Sequence, residues 1–130
     1  MRIHHVALWT RDIDADAGFW ADFFGAEVGE RYESARRPGF VSRFVRLPGG
    51  AEIELMSAPW LNPADPPEGE RQGWAHLAVA VGSAASVREM AVRLEAAGLL
   101  VSSPRLTGDG FYEAVARTPD GALVEITAAP

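Results

Sequence analysis

The chain repeats itself at a constant offset. His5 and Glu54 lie 49 residues apart, as do His76 and Glu125, and a shift of 71 residues carries the first pair onto the second. The same shift carries Arg46 onto Arg117, Pro48 onto Pro119, Gly50 onto Gly121 and Ala51 onto Ala122. The segments from Leu47 to Leu55 and from Thr118 to Ile126 therefore read as two copies of one turn-and-strand. A duplicated chain has to fold as two like halves. A His and a Glu repeated in register are suited to bring four metal-ligand side chains together about a pseudo-twofold axis.

Composition narrows the function classes. With 130 residues the chain is long enough to bury about two-thirds of its unfolded surface in one domain. Its 48% apolar and 23% charged residues are those of a folded globular protein. The net charge of −6, with Arg36-Arg37 as an isolated basic doublet, argues against a nucleic-acid partner. There is no cysteine, so neither disulfides nor thiolate ligands are available. No apolar run approaches the roughly 18 residues of a membrane helix. Met1-Arg2 leads directly into a strand-like segment rather than an apolar leader, and the expected location is cytoplasmic.

Each half opens on a β-like run, Ile3 to Trp9 and Trp74 to Val81. A helix is predicted from Asp12 or Asp14 to Gly25, and a second from Ser83 or Ser86 to Gly98. Their apolar positions, Phe19, Trp20, Phe23 and Phe24 in the first and Val87, Met90, Ala91 and Leu94 in the second, read as core packing. Strands are predicted over 28–32, 40–47 and 51–57, then 100–102, 110–117 and 122–127, with hairpin turns at Pro48-Gly49-Gly50 and Pro119-Asp120-Gly121. Each half is thus β-α-β-β-β, the first over residues 1–58 and the second over 74–130. Residues 59–73, rich in proline, read as a linker: a cover over a site, an arm toward a partner subunit, or a solvated tether.

Alternation along a strand decides which side chains share a face. His5 goes with Ala7 and Trp9, Glu54 with Glu52 and Met56, His76 with Ala78 and Ala80, and Glu125 with Leu123 and Thr127. The opposite faces are the more consistently aliphatic and suit packing against the helices. The His and Glu residues are then expected on a concave face, where carboxylates are costly unless paired, solvated or bound to a cation. Two imidazoles and two carboxylates suit a divalent first-row ion. His4 competes for the first ligand position, and the repeat register selects His5.

These residues resemble a known pattern. The motifs His5-Val6-Ala7-Leu8, Phe19-Trp20 with Phe24-Gly25, Ile53-Glu54-Leu55, His76-Leu77-Ala78 and Pro119-Asp120-Gly121 with Glu125 are similar to those of the vicinal oxygen chelate superfamily, its glyoxalase and bleomycin-resistance branch in particular. The resemblance implies an α+β fold: two tandem βαβββ modules forming a curled, mostly antiparallel sheet around a concave metal site. It implies His5, Glu54, His76 and Glu125 as ligands of nickel, zinc, manganese, cobalt or iron. It further implies Glu125, then Glu54, as the carboxylate that moves a proton next to a carbonyl, and a homodimer. Two positions depart from bacterial glyoxalase I. Trp9 stands where an arginine is usual and Ala58 near the usual asparagine, both of which serve glutathione. Trp9 and Met56 are instead expected to wall an apolar substrate pocket. The expected function is a metal-dependent lyase or isomerase acting on a small carbonyl compound. The alternatives are a non-catalytic protein that sequesters a drug or metabolite and an iron-dependent ring-cleaving dioxygenase.

Overall fold

Asp12 still has an extended backbone, and its side chain accepts a hydrogen bond from the Ala15 N–H, so the first helix begins there. This helix, α1, spans Ile13–Phe24 and ends at Gly25, whose φ of 63° is the left-handed turn that favours glycine. Ser83 plays the same part by accepting from the Ser86 N–H, and α2 runs Ala84–Ala96. Both starts lie at the first of the two residues expected. A computed structural model describes residues 2–62 and 74–129 of the chain. Most of the expected linker, residues 63–73, lies outside the described residues.

One strand precedes each helix and three follow it. In the first half these are β1 (His5–Trp9), β2 (Glu27–Glu33), β3 (Val41–Arg46) and β4 (Glu52–Ser57). In the second they are β5 (Leu77–Ala80), β6 (Leu100–Leu106), β7 (Tyr112–Arg117) and β8 (Leu123–Ala128). The order in one sheet is β1-β4-β3-β2 and in the other β5-β8-β7-β6. Within each, the first pairing is parallel and the other two are antiparallel. The fold is therefore α+β, built from two tandem βαβββ modules, and the chain divides into two compact units, Met1–Asp65 and Pro66–Pro130. Both predicted hairpin turns form. Leu47 bonds Ala51 at 2.8 Å and Thr118 bonds Ala122 at 2.9 Å.

Two strands differ most from the sequence reading. Strand β6 continues past Ser102 through Pro104 to Leu106. It is an edge strand with a register shift between Ser102 and Arg105, a place where proline costs no ladder bond. Strand β5 begins at Leu77, which leaves His76 one residue ahead of the ladder.

The two faces of each sheet have different surroundings. In the first unit Val45, Ile53 and Leu55 are buried together with Phe19, Trp20 and Phe24 of α1. Arg43, level with Leu55 in the register, reaches Asp14 at the start of α1, at 3.7 Å. In the second unit Ala114, Ala116, Val124 and Ile126 are buried with Val87, Ala91 and Leu94 of α2. Full burial of a Val, Leu or Ile side chain stabilises by about 1.5–3 kcal/mol, so these faces hold each unit together. The other face of each sheet carries the polar candidates. Among the described residues no helix is long and apolar enough to cross a membrane.

Candidate metal centre

In the first unit, the parallel pairing of β1 with β4 sets His5 level with Glu52, Ala7 with Glu54 and Trp9 with Met56. His5 and Glu54 are diagonal neighbours on the face away from α1, and His5 Nε2 stands 3.5 Å from Glu54 Oε2. Two other contacts select this pair. Glu52 is bound to the Arg46 guanidinium at 2.6 Å, which holds its carboxyl below the usual range and commits it to that partner. His4 Nδ1 lies 2.9 Å from His5 Nδ1, so one ring nitrogen of His5 is engaged and Nε2 turns to Glu54. The Phe44 ring meets the His5 ring edge-on at 5.3 Å. His4 thus acts in this structure as a support for His5.

The second unit repeats the pair. His76 Nε2 stands 3.3 Å from Glu125 Oε2. Burial pushes the Glu125 carboxyl above the usual carboxylate range, the negative charge of Glu113 pushes it the same way, and His76 opposes them. The two units have diverged around the pair. Ala75 stands where the shift places His4, so His76 lacks an imidazole support.

The donor chemistry fits a divalent cation. Two donors on one ion, with bonds of about 2.1 Å at octahedral to tetrahedral angles, stand roughly 3.0–3.4 Å apart. The His–Glu separations of 3.5 and 3.3 Å are near that spacing. They exceed the ~2.8 Å of a well-formed charge-assisted hydrogen bond. The structure brings His5 to Glu54 and His76 to Glu125, and among the described residues it gathers no group of three or more such side chains at one point.

The sequence model of the Glyoxalase/Bleomycin resistance protein/Dioxygenase superfamily matches residues 2–126. The chain belongs to that superfamily. An uncharacterized protein of Pseudomonas aeruginosa is 32% identical over 134 residues, covering 95% of this chain and 85% of its own length. The crystal structure of a glyoxylase/bleomycin resistance protein/dioxygenase domain from Frankia sp. matches with a TM-score of 0.80 at 20% identity, over 100% of this chain and 98% of that one. The fosfomycin resistance protein of Listeria monocytogenes, solved with Mn(II) and sulfate, matches with a TM-score of 0.70 at 18% identity, over 99% and 93%. At such identities the two structures share the fold.

In this superfamily member Trp9 is 45% exposed on the His5 face, with its ring edge-on to Phe40 at 6.0 Å, and Met56 lies level with it on β4. The Arg37 guanidinium lies over both Phe40 and Trp60, at 5.4 and 5.0 Å from their ring centres. Ala58 is buried and offers nothing to a charged ligand. Phe40, Phe44, Arg105 and Glu113 belong to these surroundings and were absent from the sequence reading. Their parity could be read from their own strands. Phe44 and Glu113 come beside the His–Glu pairs through the registers of β3 on β4 and β7 on β8, and Arg105 through β6 on β7, whereas Phe40 lies just before β3 and meets Trp9.

Proposed function

We propose that this superfamily member is a divalent-metal-dependent lyase or isomerase of the glyoxalase I type, moving a proton next to the carbonyl of a small substrate. The reading is carried by the recurrence of one His–Glu pair in both units, at 3.5 and 3.3 Å. His5, Glu54, His76 and Glu125 would hold the ion, which could be nickel, zinc, manganese, cobalt or iron. When bound, the ion supplies a Lewis acid that stabilises negative charge on nearby substrate oxygens.

Glu125 is the base. The superfamily resemblance gives Glu125 this role, and Glu113, its diagonal neighbour on the same face, adds negative charge that favours its proton-bearing form. Glu125 takes a proton from the hydroxyl-bearing carbon beside the carbonyl and returns it to the carbonyl carbon, while the hydroxyl proton passes to the former carbonyl oxygen, so the step needs no oxidant or reductant. Glu54 is the second candidate for this role. Trp9 and Met56 wall the substrate's apolar part. With Trp9 and Ala58 in place of charge-binding groups, a substrate without glutathione's charged ends fits this protein best. A cytoplasmic homodimer completes the proposal.

The test is to strip and restore each metal while following deuterium incorporation next to the carbonyl in a panel that includes methylglyoxal with glutathione. Glu125→Gln should lower turnover by about 10²–10⁴-fold, the usual weight of general base catalysis. Full wild-type turnover after complete metal removal would overturn the reading. A second reading, a sequestering protein, is favoured by the half-exposed Trp9 against Phe40. Tight binding of an aromatic drug by the metal-free protein, without turnover, would select it.

A further inference from the structure

Glu113 and Thr127 are paired across β7 and β8, so their side chains share the face of the second sheet that carries Glu125. Each residue is only 8% exposed, and the Thr127 Oγ1 is buried with no hydrogen-bond partner among the described residues. A buried hydroxyl without a partner is unfavourable, and native structures rarely leave one unless something else completes it. Arg105 donates to one oxygen of Glu113 at 3.3 Å and so balances its charge. Across the parallel pairing Thr127 meets Ala80, whose methyl takes little room. Glu125 is two residues back on the same strand and diagonal to Glu113.

The internal repeat makes this arrangement informative. The 71-residue shift maps Ala80, Thr127 and Glu113 back onto Trp9, Met56 and Ser42. In the first unit the space beside the Glu is taken by an indole and a thioether. In the second, the same place has a methyl, a hydroxyl and a carboxylate. Between the duplicated positions the side chains become smaller at Ala80 and more polar at Thr127 and Glu113.

We infer that Thr127 and Glu113, with Arg105 behind and Ala80 leaving room, form a subsite in the second unit for a hydroxyl group carried by the substrate. A hydroxyl can accept from Thr127, giving it the partner it lacks, and donate to Glu113 beside its bond from Arg105. A carboxylate would be repelled by Glu113, and a methyl would leave Thr127 unpaired. The subsite deepens the proposed function and rests on it.

The probes are propano- and butanohydroxamate and the analogues of each with the terminal methyl replaced by hydroxyl, titrated calorimetrically into the metal-loaded protein. A hydroxamate offers two vicinal oxygens to an ion. At least one hydroxyl analogue should bind about tenfold tighter than its methyl counterpart, the worth of about one hydrogen bond. Thr127→Val, which keeps the side-chain shape, should erase that preference, and Thr127→Ser should keep it. If all four bind but the hydroxyl earns no preference in the wild type, or the preference survives Thr127→Val, the subsite falls and the metal reading stands. If none of the four binds, the metal reading falls and takes the subsite with it.

Discussion

Glu125 is the residue whose surroundings most change its chemistry. Its carboxyl is raised first by burial and then by Glu113. In the unfolded chain the same group ionises at the ordinary carboxylate value. Between that value and the raised one the native state holds more protons than the unfolded state, so this residue's contribution to stability is present at low pH and lost as pH rises through the raised value. Metal-free protein should therefore gain a few degrees in Tm from Glu125→Gln above this window and little below it. Thermal melts in chelator across the acid range, read as variant minus wild type, check this; parallel curves would refute it. At this scale the His–Glu pairs were legible because one register repeats. Glu113 was not, because the predicted hairpin sets β7 beside β8 without giving the register that makes Glu113 diagonal to Glu125.

Among the elements, the helix starts were the most legible features. Asp12 and Ser83 are short polar acceptors placed immediately before helical runs, and each accepts a bond from the N–H three residues on, at 3.0 and 3.1 Å. Removing such a cap costs about 1 kcal/mol. Asp12→Ala and Ser83→Ala should each lower the unfolding free energy by that amount, read as a lower denaturation midpoint at unchanged slope. The two caps lie in different units, so their effects should add in the double variant. Midpoints unchanged by either substitution would show that the caps carry no weight. Strand extents were harder to read. The strand expected over 100–102 runs on through Pro104 to Leu106, because an edge strand with a bulge accommodates proline, and edge position follows from sheet order. His76 falls one residue ahead of β5 for a similar reason: strand alternation assigns a face but not the residue where pairing begins.

For the whole molecule the decisive fact is duplication with divergence. The 71-residue offset was readable from identities alone, and it recurs as two units with the same strand order and the same His–Glu contact. The proposed metal set draws two ligands from each unit, and this makes a prediction about stoichiometry. If one ion needs all four side chains, wild type should hold one ion per chain. His5→Ala with Glu54→Ala, or His76→Ala with Glu125→Ala, should then each reduce it to none at micromolar metal. If each His–Glu pair binds its own ion, wild type should hold two per chain and either double variant should keep one. Two donors alone bind a first-row ion weakly, whereas four, two of them carboxylates that cancel its charge, bind tightly, and this favours one ion per chain. Ligands drawn from one chain or from two give the same ratio. Metal content after equilibrium dialysis decides it: one ion, lost from either double variant, supports a shared centre, and two ions with one retained would replace it by independent half-sites.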